Sequence, residues 1–281
     1  MNDLTTPALL VDAALLDHNI DAMSQVRPGS RLRPHVKAFK STVMARHVAT
    51  RAGHEAFCCA TLREMEAMAD AGFGTDLLLA NETLDTPRLA ALAQRGDARV
   101  TVAVDSPETI EAAKGTGAAV LVDVDVGLPR CGCPPEDAGA LADQARSAGI
   151  EVRGVMGYEG HTVSEPDRST RSAAVDASME LLGIAQRAVG GGLTSAGGTG
   201  TYDMHGDTDE VQAGSYLLMD TAYDELGLPF AQALSVLATV ISVSPKGWCV
   251  LDCGLKSLST DHGNPTVPGL EVFFCSDEHI T

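Results

Sequence analysis

"LTSAGGTGTYD", residues 193–203, is a short apolar run followed at once by small and hydroxylic residues. Leu193 to Ala196 reads as a buried strand, and Gly197-Gly198-Thr199-Gly200-Thr201 as the turn that leaves its C-terminal end. Small residues in such a turn let backbone N–H groups approach an anion with no Cβ in the way. The stretch is either a tight connection or an anion-binding loop, and its surroundings favour the second.

Upstream the same rhythm recurs. Apolar runs stand at 32–36, 56–60, 76–80, 100–104, 119–126 and 152–156, and an eighth follows at 211–219. A helical pattern over 12–26 precedes them. Helical segments such as "LREMEAMADAG", "TPRLAALAQRG", "SPETIEAAKG" and "PEDAGALADQARSAG" lie between them, with apolar residues three and four apart and Gly at most ends. Asp85-Thr86-Pro87 and Ser106-Pro107-Glu108 are helix starts, with proline in the first turn. Eight alternating units predict an α/β fold, a (β/α)8 TIM-type barrel over residues 10–229.

The alternation stops near Phe230. "ALSVLATVISVS", "GWCVLDCGL" and "LEVFFCS" read as strands joined by Gly, Pro and Asn turns. They predict a small β domain over 230–281, which an N-terminal strand at 4–9 joins. Three strands ending on Phe273-Phe274 make a poor independent sheet, so this domain reads as incomplete.

Composition narrows the function. The net charge of −18 argues against nucleic-acid or anionic-membrane partners. The start "MNDL" lacks the basic and apolar regions of a secretory signal, and no apolar run is long enough to span a membrane. The chain has seven cysteines and no C-x-x-C pair, which fits reduced thiols in a cytoplasm. Cys131-Gly132-Cys133 is too tightly spaced for a zinc knuckle.

Barrel active sites lie at the C-terminal ends of the strands. There the sequence places His35 and Lys37, Asn81, Asp105, Asp123, Arg130, Tyr158, Glu159, His161 and the 197–201 turn. Lys37 belongs to "RLRPHVKAFK" (31–40), a basic stretch in an acidic chain. A phosphate anchor built from Gly198, Thr199, Gly200, Gly214, Ser215 and Tyr216, facing a lysine after the first strand, suits pyridoxal 5'-phosphate. That cofactor needs a hold on its phosphate and an amine for its aldehyde. His161 ends a strand and is the candidate acid–base. His35 reads equally as a satisfied buried histidine or a direct participant, and Lys40 as a solvated or salt-bridged residue. Asp261 and His262 read equally as polar turn caps.

The motifs "RPHVKAFK", "CCATLREMEAMADAG", "VDVDVGLPRCG", "GYEGH", "GGTGTYD", "QAGSYLLMD" and "DCGLKSLSTDHGNPTVPG" together resemble the D-threonine aldolase and eukaryotic-type D-serine dehydratase family. Those enzymes are built on the alanine-racemase-type barrel. The resemblance implies that Lys37 is the Schiff-base lysine, that Arg130 lies near the cofactor's phenolic oxygen and that Tyr158 lies near its pyridine nitrogen. It implies that Asp261 and His262 line the site from the β domain. It also implies a homodimer acting on a small amino acid substrate, with a divalent metal (Mn or Zn) beside the cofactor. The family's Lys-Thr-His-Lys is here Lys37-Ala38-Phe39-Lys40. Its metal-binding His-x-Cys or His-x-Asp pair is not identified in these 281 residues, so the expectation is a truncated chain or one that has lost or replaced its metal. The expected reaction is retro-aldol cleavage of D-3-hydroxy amino acids to glycine and an aldehyde. The alternatives are β-elimination of the D-serine dehydratase type and a catalytically impaired binder of the cofactor.

Overall fold

A computed structural model describes residues 4–260 and 263–281. Eight parallel strands form one sheet: β2 (Leu32–Pro34), β3 (Ala56–Cys59), β4 (Asp76–Leu79), β5 (Val100–Val104), β6 (Ala119–Asp123), β7 (Val152–Gly157), β8 (Leu193–Ala196) and β9 (Glu210–Ala213). β1 (Ala8–Val11) lies outside that sheet. From β4 to β9 each strand pairs with its predecessor, and β9 also pairs with β2 in the register Leu32↔Val211. A single parallel bridge, His35↔Cys58, joins β2 to β3 and closes the barrel.

Strand alternation sorts the side chains into two packed layers. Phe57, Leu77, Leu79, Val102 and Val122 point outward against helix residues such as Met65, Leu89, Ile110, Leu141 and Leu182. Cys58, Leu78, Ala103, Leu121 and Met156 fill the middle of the barrel. Below them a buried ion network plugs the N-terminal end. Arg33 binds Glu210 at 2.7 Å and Asp76 at 3.1 Å, and Arg153 binds Asp76 at 2.8 Å.

The outer helices are α1 (Ala13–Val26), α2 (Thr42–Ala52), α3 (Leu62–Asp70), α4 (Thr86–Ala93), α5 (Pro107–Ala113), α6 (Ala138–Ser147) and α7 (Arg168–Val189). Their starts follow from side-chain caps: Asp12 accepts from Ala14 N and Leu15 N, Thr61 from Glu64 N, and Asp85 from Arg88 N. Ser106 and Thr109 form a reciprocal capping box ahead of α5.

The expected eighth helix is absent among the described residues. β8 runs to β9 through a 3-10 turn, Thr199–Thr201, and a polar loop. Instead α1, which precedes the first barrel strand, packs Leu16, Ile20 and Met23 against Tyr202, Tyr216, Leu217 and Phe230. Asn19 locks it there by donating to Leu217 O and Ala231 O. The run expected at 211–219 also breaks in two, since strand pairing ends at Ala213 and a 3-10 turn, Ser215–Leu217, follows. Between them Gly214 lies so close to the His35 carbonyl that a Cβ would overlap that oxygen.

A small antiparallel β domain follows the barrel. β10 (Leu234–Leu237) pairs with β1, so the N-terminal segment joins this part of the molecule. β11 (Val240–Val243) pairs with β12 (Cys249–Leu251). The strand expected from "LEVFFCS" does not form. That stretch has isolated bridges, Val267↔Leu270 and Cys275↔Ile280, and scattered hydrogen bonds such as Thr281 N to Phe274 O at 2.8 Å, because no strand runs beside it among the described residues. Phe273 and Phe274 are exposed.

Candidate active site

Loops at the C-terminal ends of the barrel strands build one cavity of about 290 Å³. β2 runs into His35, whose N–H still reaches Ala213 O at 2.9 Å, and then into a 3-10 turn, Val36–Ala38. That turn projects Lys37 into the cavity. After β6 the chain doubles back: Asp125 N donates to Cys133 O at 2.9 Å and Cys133 N to Asp123 O at 3.0 Å. The hairpin so formed delivers Arg130. β7 leads directly into Tyr158, whose ring face receives both cations. Lys37 Nζ is 5.8 Å and the Arg130 guanidinium carbon 5.4 Å from its centroid.

The loops after β8 and β9 form the opposite wall with Gly198, Thr199, Gly214 and Ser215. They are tied together by Tyr216 N, which donates to Thr199 Oγ1 at 3.0 Å. Thr199 and Ser215 each open a 3-10 turn, so their N–H groups have no acceptor within it and are free for an anion. Tyr223, a cavity residue that the sequence reading missed, stands beside the Ser215 side chain.

Electrostatics divide the wall. Burial, with Lys37 and Arg130 nearby, pushes the His35 imidazole down to about 3, so it is neutral. Burial, with Tyr223 and Glu159 nearby, pushes the Tyr158 phenol up to about 12 against the pull of Arg130, so it keeps its proton. Behind the loop after β8 sits a buried group not anticipated as a unit. Glu159 accepts from Thr201 Oγ1 at 2.6 Å and lies 3.0 Å from His205 Nε2. Burial raises the Glu159 carboxyl, but the bonds to His205 and Thr201 hold it below the ordinary value. Asp123 is pushed well up by burial and by the neighbouring Glu82.

Three assignments need correcting. His161 is exposed and lies on Gly127, whose Cβ would meet the imidazole, so it is not in the cavity wall. The Tyr216 ring packs into the core 5.7 Å from Phe230 and contributes only its backbone. Gly200 is small because a Cβ would overlap the Val163 carbonyl, and the residue lies outside the cavity wall. Lys40 is exposed beside Glu64 at 3.5 Å, an ordinary surface pair. Asp261 and His262 lie outside the described residues. Among the described residues no three His, Cys, Asp or Glu side chains converge as a metal site.

The residues fit pyridoxal phosphate: an amine, a cation and a phenol share one cavity with free N–H groups. Fold and site together define an alanine-racemase-type pyridoxal-phosphate enzyme. The family described as "Alanine racemase, N-terminal domain" matches residues 11–222, and "Putative serine dehydratase domain" matches 233–281. The chain is 32% identical to the 3-hydroxy-D-aspartate aldolase of Paracoccus denitrificans (strain Pd 1222), over 99% of this chain and 80% of that one. It is 33% identical to the D-threo-3-hydroxyaspartate dehydratase of Delftia sp. (strain HT23), over 92% and 74%. The crystal structure of D-threonine aldolase from Filomicrobium marinum superposes with a TM-score of 0.90 at 32% identity, covering 100% of this chain and 82% of that one. The chain belongs to the alanine racemase N-terminal-domain family, alongside the D-threonine aldolases and the 3-hydroxyaspartate aldolases and dehydratases.

Proposed function

We propose that this chain is a pyridoxal-phosphate-dependent lyase that cleaves D-threonine-like D-3-hydroxy amino acids to glycine and an aldehyde. The observation that carries the reading is the shared cavity of Lys37 and the Thr199 and Ser215 N–H groups. When bound, the cofactor supplies a sink for the electron pair left at Cα as the Cα–Cβ bond breaks. Lys37 is the covalent anchor, the two N–H groups hold the phosphate, and Arg130 holds an anionic oxygen. The broken bond requires that the substrate hydroxyl lose its proton and that Cα regain one. His35 is too weak a base and Tyr158 keeps its proton, so Lys37 Nζ is the proton carrier within the cavity. No step is assigned to His161. The divalent ion, Mn or Zn, stays in the proposal as the group that acidifies the hydroxyl, with no ligands assigned among the described residues.

Borohydride reduction followed by peptide mapping should place the cofactor on Lys37; label on Lys40, or none, refutes the site. Glycine released from D-threonine or D-3-hydroxyaspartate marks the aldolase. Ammonia and a 2-oxo acid mark the dehydratase, a reading kept open by the similarity to the Delftia enzyme. Loss of turnover in chelator, restored by Mn²⁺, tests the metal. The same reading makes the chain a cytoplasmic homodimer with the barrel at 10–229 and the β domain at 230–281. Exposed Val243, Trp248, Leu270 and Phe273 on the β domain support a partnered surface, and light scattering measures it.

A further inference from the structure

The turn that follows β8 leads into no helix among the described residues, so side chains must hold its shape. The chain leaving β7 puts Tyr158 in the cavity wall and the next side chain, Glu159, behind that turn. Glu159 Oε1 accepts from Thr201 Oγ1 at 2.6 Å, and Thr201 Oγ1 accepts from Gly198 N at 3.3 Å, which closes the turn on itself. Arg27, at the end of α1, clamps the segment beyond by donating to Tyr202 O and His205 O at 2.7 Å each. Glu159, Thr201, His205 and Arg27 are all buried.

With Gly198 N turned inward onto Thr201, the next N–H along, that of Thr199, is the one left for the cavity. Thr199 Oγ1 takes Tyr216 N at 3.0 Å, so the turn also fixes the second loop, whose Ser215 N–H is the other free donor. His205 lies 3.0 Å from the same Glu159 oxygen through Nε2 and 3.2 Å from Met179 Sδ through Nδ1. A carboxylate and a thioether have no proton to give, so both ring nitrogens donate and the ring offsets the charge of Glu159. Without that partner, a buried carboxylate just behind an anion site would repel the anion. Glu159 Oε2 has no partner among the described residues, so the carboxylate acts through Oε1 alone.

We propose that Glu159, neutralised by His205 and acting through Thr201, is a positioning residue for the cofactor's phosphate: it sets the 198–201 turn so that the Thr199 and Ser215 N–H groups converge on one anion. The inference rests on the pyridoxal-phosphate reading above and adds to it a layer of residues that touches no ligand. A residue that only fills the core would support every ligand of the cavity alike. A residue that shapes the turn supports only ligands that carry a phosphate. The two roles separate on a pair of aldehydes, pyridoxal phosphate and pyridoxal, which share the ring and the aldehyde that Lys37 captures and differ in the phosphate.

The test uses the purified full chain, freed of cofactor and titrated with each aldehyde by absorbance, with borohydride trapping on Lys37 as the check of site. Thr201→Val keeps the shape and removes the hydroxyl. It should weaken pyridoxal phosphate about tenfold, the worth of one hydrogen bond, with pyridoxal within twofold of the parent. Thr201→Ser keeps the hydroxyl and should keep the parent preference. Glu159→Gln keeps an acceptor but loses the charge, and should weaken pyridoxal phosphate severalfold with pyridoxal again unmoved. Equal loss of both aldehydes, or an unchanged preference, in Thr201→Val or Glu159→Gln overturns the proposal, and so does a preference lost in Thr201→Ser. Should Thr201→Val not fold, Glu159→Gln against Thr201→Ser carries the same comparison. A parent that binds the two aldehydes equally, or traps neither on Lys37, sinks the underlying cofactor reading instead, so the two failures are distinguishable.

Discussion

Replacing Asp76 with asparagine tests the plug at the base of the barrel. Asp76 is largely buried and binds Arg33 once and Arg153 twice, at 2.8–3.1 Å. Burial alone would raise its carboxyl, but the hydrogen bonds and charges of Arg153 and Arg33 outweigh it and hold the group at about 2, against an ordinary 3.8. A depressed carboxylate stabilises the fold fully above its unfolded value and loses that contribution as pH falls through the folded one. The shift corresponds to about 2 kcal/mol at neutral pH, shrinking by about half near pH 3. The Asp76→Asn substitution removes the charge while Arg33 keeps Glu210 and Arg153 keeps Thr101, so the total cost stays near ~2–3 kcal/mol, at or below the usual range for breaking a buried pair. Urea unfolding of both proteins between pH 7 and pH 3 measures the gap. A gap below about 0.5 kcal/mol at pH 7, or one that does not narrow on acidification, refutes the electrostatic account.

Lys37→Ala should abolish borohydride trapping while leaving the unfolding midpoint within about 0.5 kcal/mol of the parent, as expected for a cavity side chain that approaches the Tyr158 ring no closer than 5.8 Å. Gly214→Ala should destabilise the apo-protein by about 2 kcal/mol or more, because the new Cβ overlaps the His35 carbonyl; normal stability with lost cofactor affinity would contradict this. Glu159→Leu should cost about 2–4 kcal/mol in a thermal or urea melt, since buried Thr201 and His205 lose their common acceptor.

The barrel was legible where local signals act alone. Caps at Asp12, Asp85 and Ser106 and the outward apolar face of each strand are short-range features, and the helices and strands stand where they predict. The missing eighth helix was not legible, because α1 fills its place through contacts with residues some two hundred positions away. The failure of 270–276 to become a strand has the same origin, since a strand needs a neighbour. Lys37, Arg130, Tyr158, Gly198, Thr199, Gly214 and Ser215 do share one cavity. His161 was misplaced because the end of a strand fixes where a loop begins and not where its later residues point. Gln212, which also lines the cavity, was missed for lying inside a strand; a polar side chain two residues before Gly214 was the available sign.

The His35↔Cys58 bridge gives the barrel a seam, and the seam falls beside the lysine. During synthesis β2 emerges early, yet its other neighbour, β9, is made only after every other strand of the barrel. Lys37 therefore waits beside an unfinished edge until Ser215 arrives from the far end of the sequence. Such long-range closure is entropically slow and comes late in folding. A ligand held by Lys37 and Ser215 at once would bridge the first and last staves of the barrel, like the final hoop on a cask. Cofactor capture would then be an act of assembly as well as of loading, with free cofactor favouring the closed chain over partly joined forms.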